Sequence, residues 1–118
     1  MPDLTLFHNS TCTASQHVLT DLTDAGYDVE VVQYLKTPLD KAQLLDLMDK
    51  LEDPPEDLVR KDAFFTGQRL RAEDYKTPDE VAELLVEYPR LMQRPVIVKA
   101  DRAIIGRPRD RVLPFVGG

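Results

Sequence analysis

The chain has 118 residues, with 15 Lys and Arg against 21 Asp and Glu, a formal net charge of −6. Hydrophobic residues make up 42% and charged residues 31%, a balance that fits one globular domain over 1–118 and excludes a largely disordered chain. The acidity argues against nucleic-acid or anionic-membrane partners, and no apolar run approaches the roughly 20 residues that span a bilayer.

Met1-Pro2-Asp3-Leu4 has neither a basic n-region nor an apolar h-region, so no signal peptide is expected. A short, largely buried strand is predicted over 3–8 from Leu4, Leu6 and the residues between them. Asn9-Ser10-Thr11 turns the chain. Ala14, Val18, Leu19, Leu22 and Ala25 then recur near helical spacing, which predicts a helix over 13–25 ended by Gly26. Val29, Val31 and Val32 mark a second strand, 29–34. The three elements form a β-α-β unit, with parallel strands joined by a right-handed crossover.

Thr37-Pro38 breaks that strand. Asp40 caps a helix over 40–51 carrying Leu44, Leu45, Leu47, Met48 and Leu51. Asp53-Pro54-Pro55 is a turn, 56–61 a short helix, and 62–76 a polar loop with at most one helical turn. Thr77-Pro78-Asp79-Glu80 combines a capping box with proline at the first helical position, opening a helix over 78–88 that Pro89 stops. The stretch 39–92 thus reads as a helical insert without strands. Val96-Ile97-Val98 and Ala103-Ile104-Ile105 are short strands in an antiparallel hairpin. A last helix is expected over 109–115, and Gly117-Gly118 as a frayed end. The fold class is α/β: β-α-β, a helical insert, then β-β-α.

Chemistry concentrates at Cys12, the only cysteine. One cysteine excludes an internal disulfide and a Cys-rich zinc site, no metal site is expected, and the usage fits a reducing cytoplasm. Cys12 stands between a strand and a helix, so unpaired N–H groups and the positive end of the helix dipole lie beside its sulfur. Such positions lower a thiol pKa from about 8.5 to roughly 3.5–7.5 and make a nucleophile; the competing reading is a small buried hydrophobe. His8, closing the strand, either polarises the turn or bonds the thiolate, or is simply structural. Ser15, three residues on, can reach the sulfur with its hydroxyl or merely fill the first turn. Asn9 serves as a turn residue. A Cys-x5-Arg phosphate loop is excluded because Val18 stands where its arginine would be, and Cys12-Thr13-Ala14-Ser15 holds no second cysteine for a dithiol. No GxGxxG motif and no P-loop occurs.

Charge is unevenly spread: residues 1–59 hold 3 basic and 12 acidic residues, whereas 89–118 hold seven basic and two acidic, mostly arginine. Arginine's planar fork suits oxyanions, provided the fold brings several to one point.

Six collinear pieces resemble the ArsC/Spx family, and more narrowly its glutaredoxin-coupled arsenate reductases. They are His8-Asn9-Ser10-Thr11-Cys12-Thr13-Ala14-Ser15, Tyr34-Leu35-Lys36-Thr37-Pro38, Leu58-Val59-Arg60-Lys61, Tyr88-Pro89-Arg90-Leu91, Gln93-Arg94-Pro95-Val96-Ile97-Val98 and Gly106-Arg107-Pro108. The resemblance implies a thioredoxin-like fold with the helical insert at about 39–92. It implies Cys12 as the nucleophile toward arsenate, His8 and Ser15 as supports of the thiolate, and Arg60, Arg94 and Arg107 as oxyanion ligands. Asn9 and Pro95 would be structural at the site, with Arg94-Pro95 cis. No bound cofactor is implied; an external thiol such as glutathione and a glutaredoxin or thioredoxin would supply the electrons to a monomer. Ser10, Thr13 and Gln16 depart from the family's usual proline, glycine and arginine around the cysteine. The alternatives are an Spx-like transcription regulator bound to RNA polymerase, or another thiol-transfer protein of this fold. Ser15, at the place of the regulators' second cysteine, and Arg107 both favour the reductase.

Overall fold

The structure, a computed structural model, describes residues 3–117. Its four-stranded mixed sheet has the order β2 (Val29–Gln33), β1 (Leu4–His8), β3 (Val96–Lys99), β4 (Arg102–Ile105). Strand β1 (Leu4–His8) pairs in parallel with β2 (Val29–Gln33), and the 12-residue helix α1 (Thr13–Asp24) makes the crossover between them. Gly26, at φ 90°, follows the end of α1 in the left-handed region, where glycine carries no Cβ penalty. Strands β3 (Val96–Lys99) and β4 (Arg102–Ile105) form the expected hairpin, and β3 lies antiparallel to β1.

Alternation along the strands divides the interior in two. Leu4, Leu6, Ile97 and Ile104 face α1 and the last helix, packing on Val18, Leu22, Val112 and Phe115. Phe7, Val96, Val98, Ala103 and Ile105 face the opposite layer. That layer is built from α2 (Lys41–Lys50) and α4 (Pro78–Glu87), which contribute Leu44, Leu47, Met48, Val81, Leu84 and Leu85. Both helices begin with full capping boxes, from Asp40 with Gln43 and from Thr77 with Glu80, which satisfy donors that a helix start otherwise leaves free.

Three expectations are corrected. The helix predicted over 56–61 is only a 3₁₀ turn, Pro55–Leu58, because Val59 leaves it to bridge Met92. The stretch 62–76 holds two helical turns, not one: α3 (Ala63–Gly67), capped by Asp62, and a 3₁₀ turn, Ala72–Asp74. Phe65 drives the first, being buried in the core. The helix predicted over 109–115 is a 3₁₀ turn, Arg109–Arg111, followed by α5 (Val112–Gly117). Gly117 therefore closes a helix, and Gly118 lies outside the described residues. Among the described residues 39–92 contains no strand; an isolated bridge, Leu51–Ala103, ties it to β4, and another, Val59–Met92, closes it on itself.

Candidate active site

Register explains why one end of the sheet carries the chemistry. Phe7 pairs with Val96, and Val96 with Ile105. Cys12 follows the end of β1, Arg94 lies two residues before Val96, and Arg107 two residues after Ile105. All three thus emerge at the same end of the sheet. Arg60 arrives differently: its N–H donates to the Leu91 carbonyl at 2.6 Å, and Gln93 N–H donates to the Leu58 carbonyl at 2.7 Å. This short antiparallel contact lays Arg60 beside the segment leading into Arg94.

Cys12 is the N-cap of α1, with extended backbone (φ −93°, ψ 118°), and is partly exposed. Its N–H donates to the Asn9 carbonyl at 3.0 Å, closing the turn. The sulfur makes no regular capping bond. Burial raises the cost of its charge, but the Ser15 amide, the Arg94 guanidinium and the Ala14 amide outweigh this and hold the thiol below its ordinary pKa. Arg107 reaches the same sulfur, Nη2 to Sγ at 3.5 Å, while its Nε donates to the Arg94 carbonyl at 2.6 Å. Arg94 Nη1 donates to the Arg90 carbonyl at 3.4 Å. Its Nε is buried and, among the described residues, has no acceptor. An unsatisfied buried donor costs about 1–3 kcal/mol, so an incoming anion is favoured there.

The supports behind the sulfur differ from the sequence reading. The Ser15 hydroxyl does not serve the sulfur: it is hydrogen-bonded to His8 Nδ1 at 2.6 Å and accepts from Asn9 N–H at 3.2 Å. What Ser15 offers Cys12 is its backbone N–H. His8 accordingly bonds Ser15, and burial pushes its pKa down, favouring the neutral ring. Asn9 is buried, and its Oδ1 accepts from the N–H and hydroxyl of Thr11 at 3.0 and 2.8 Å, shaping the turn before Cys12. The Gln16 side chain donates to the Ser10 carbonyl, so two of the departing residues brace one another. Thr13 is exposed at the first turn of α1. The Arg94-Pro95 peptide is cis, as expected, and Arg107-Pro108 is cis as well.

Two cavities open beside the arginines, one lined by Arg94 and one by Arg107. Asn9, Thr11, Arg60, Asp62, Arg90 and Arg94 line one of about 320 Å³. Arg60 lies there against Asp62, Nε to Oδ2 at 3.4 Å. Arg107 belongs to the other, with Lys61, Arg111, Asp53 and Asp57. The sequence reading missed two residues. Arg90, in the first cavity, stands over the Phe64 ring at 3.9 Å. Tyr34 is buried with its hydroxyl donating to the Met92 carbonyl at 3.3 Å; burial raises its pKa while Arg94 opposes the rise. Both lie within motifs quoted for the resemblance, but neither has a spacing that marks it. Among the described residues no cluster of three or more His, Cys, Asp or Glu is placed to hold a metal ion, and no helix is long and apolar enough to cross a membrane.

Comparison with known proteins places the chain in a family and a fold. The ArsC family profile matches residues 7–115. The chain is 34% identical over 113 residues, 95% of each chain, to the uncharacterized protein YfgD of Escherichia coli K12. It is 31% identical over 114 residues to an arsenate reductase of Neisseria meningitidis, covering 95% of this chain and 97% of the relative. Among solved structures, arsenate reductase from Vibrio cholerae superposes with a TM-score of 0.83 at 25% identity, over 96% of this chain and 97% of that one. The fold is thioredoxin-like.

Proposed function

The chain belongs to the ArsC family, and on that premise we propose that it is an arsenate reductase whose nucleophile is Cys12. One observation carries the reading: guanidinium groups from two distant segments, Arg94 and Arg107, converge on a thiol that the helix start already favours as thiolate. Relatives named arsenate reductase supply the substrate.

The thiolate of Cys12 attacks arsenic in arsenate; an arsenic–oxygen bond breaks and the oxygen leaves as water after taking up protons. Arg94 and Arg107 neutralise the anion and the charge gathering in the transition state, with Arg60 as the third cation from the adjoining wall. A net charge of −6 would otherwise repel a dianion. A low-molecular-weight thiol such as glutathione then adds its sulfur to arsenic, displacing a second oxygen. A glutaredoxin or thioredoxin thiolate attacks that sulfur. The electron pair of the arsenic–sulfur bond passes to arsenic, giving As(III) and a mixed disulfide on the partner. Water releases arsenite and returns Cys12. The external thiols are required because no second cysteine is present to form a disulfide with Cys12. His8, Ser15, Asn9 and Pro95 act by position, holding the turn and the helix start. No bound cofactor takes part, and a reducing cytoplasm is the compartment that sustains the cycle.

Arsenate-dependent NADPH oxidation, coupled in parallel to glutathione with glutaredoxin and to thioredoxin, tests this. Turnover with one system and its loss in Cys12→Ser is the expected result. Activity retained by Cys12→Ser would remove the nucleophile, and no turnover with either system would remove arsenate reduction.

A further inference from the structure

The cavity beside Arg94 is larger than an oxyanion needs. At about 320 Å³ it falls at the lower end of the roughly 300–1,000 Å³ range that takes whole organic ligands, whereas arsenate is one atom with its oxygens, held at the sulfur by Arg94 and Arg107. The walls carry three guanidiniums, Arg60, Arg90 and Arg94, against one carboxylate, Asp62. Asp62 is already engaged, pairing with Arg60 at 3.4 Å and accepting the Phe65 N–H at 3.1 Å. The cavity lined by Arg107 is more nearly balanced, with Lys61, Arg107 and Arg111 alongside Asp53 and Asp57, and Arg111 bound to Asp53 at 2.9 Å.

Arg90 is distinctive within the cationic cavity. Among the described residues it forms no ion pair. Its guanidinium lies 3.9 Å from the Phe64 ring centroid, and Phe64 is itself wedged edge-on against Tyr88, ring centroids 5.7 Å apart. Stacking fixes the plane of the guanidinium and leaves its N–H edge free to meet a carboxylate bidentately. The Arg90 carbonyl accepts from Arg94 Nη1 at 3.4 Å, so this residue borders the oxyanion ligand directly.

We infer that Arg90, stacked on Phe64, is the carboxylate-binding residue of a subsite for the attacking low-molecular-weight thiol. The inference rests on the reaction proposed above and names where its second substrate docks: a peptide-like thiol carrying carboxylates, anchored at Arg90 with its sulfur turned toward the Cys12 adduct. Arg90 is exposed and the carbonyl that Arg94 uses is backbone, so truncating its side chain leaves that bond in place.

The test uses the full chain with Arg90→Ala and Arg90→Lys. At saturating arsenate, Arg90→Ala is expected to raise KM for glutathione at least fivefold, with less than a twofold change in KM for arsenate and for 2-mercaptoethanol, which has no carboxylate. Arg90→Lys recovers only part of the loss, because lysine restores charge without the fork. A second readout needs no turnover: S-methylglutathione, which cannot react, should slow iodoacetamide alkylation of Cys12 in the wild type and do so at least fivefold less effectively in Arg90→Ala. An equal rise in KM for arsenate would return Arg90 to the oxyanion site. A rise confined to KM for glutaredoxin would assign it to protein docking. Unchanged protection by S-methylglutathione would overturn the subsite. A wild type that turns over no arsenate but shows Arg90-dependent protection would retain the subsite and discard the reaction.

Discussion

At Cys12 two opposing effects meet: burial disfavours a negative sulfur, while the Ser15 and Ala14 amides and the Arg94 guanidinium favour it and prevail. Removing the guanidinium should therefore act on both binding and chemistry. Arg94→Ala is expected to lower kcat for arsenate by about 10²–10³, the usual cost of one lost oxyanion donor; steady-state kinetics showing less than a twofold change would contradict the pocket. His8 supplies a separate pH signature. Its pKa is depressed by burial, so the unfolded chain takes up its proton first as pH falls. The contribution of the neutral ring is complete above about pH 6.5 and is lost as pH falls through the lower folded value. Asp21, Glu52 and Glu80 have depressed values in the carboxylate range and titrate at lower pH. Urea unfolding at pH 7.5 and 5.0 should show a stability loss that His8→Gln diminishes, and equal losses in the two proteins would contradict the assignment.

The β3–β4 hairpin positions both cationic residues, and Gly106 is its tight point. A Cβ there would lie 2.9 Å from Ile97 Cδ1 and Pro95 Cγ and 3.3 Å from Val112 Cγ2. The proline ring cannot yield as the end of an isoleucine can. Gly106→Ala should cost about 1–3 kcal/mol, as overpacking does, and loosen Arg107 from the sulfur. Thermal unfolding and the rate of Cys12 alkylation check both effects; a wild-type midpoint would contradict the close packing. The β-α-β unit, the two capped helices and the hairpin were legible because each is written locally, in alternation, capping residues or short turns. The region 62–76 was not, since Phe65 is a single core residue without periodic companions. Cys12 was legible from its place between strand and helix. The meeting of Arg94 with Arg107 depends on strand register, which spacing alone does not state. Arg60 came only through the resemblance, because an isolated bridge delivers it. The i to i+3 spacing lets the Ser15 hydroxyl reach the sulfur or merely fill the first turn; the buried His8 ring takes it instead.

Across the whole molecule, the sheet is shared by two interiors: Leu6 and Ile97 face one, Phe7 and Val96 the other. Neither layer can leave without exposing one side of the same strands. The single-domain reading therefore predicts one cooperative unfolding transition, with far-ultraviolet circular dichroism and tyrosine fluorescence coincident; two separated transitions would make the helical layer an independent unit. The same organisation makes the site a product of the entire chain, with Arg94 and Arg107 brought to Cys12 from the far half of an acidic protein.

The rate of Cys12 alkylation by iodoacetamide as a function of pH reads the thiolate without any assumed partner. A midpoint below the ordinary thiol value of about 8.5 is expected, moving upward in Arg94→Ala, with alkylation slowed by added arsenate. A midpoint at or above that value, indifferent to Arg94 and to arsenate, would contradict the thiolate assignment.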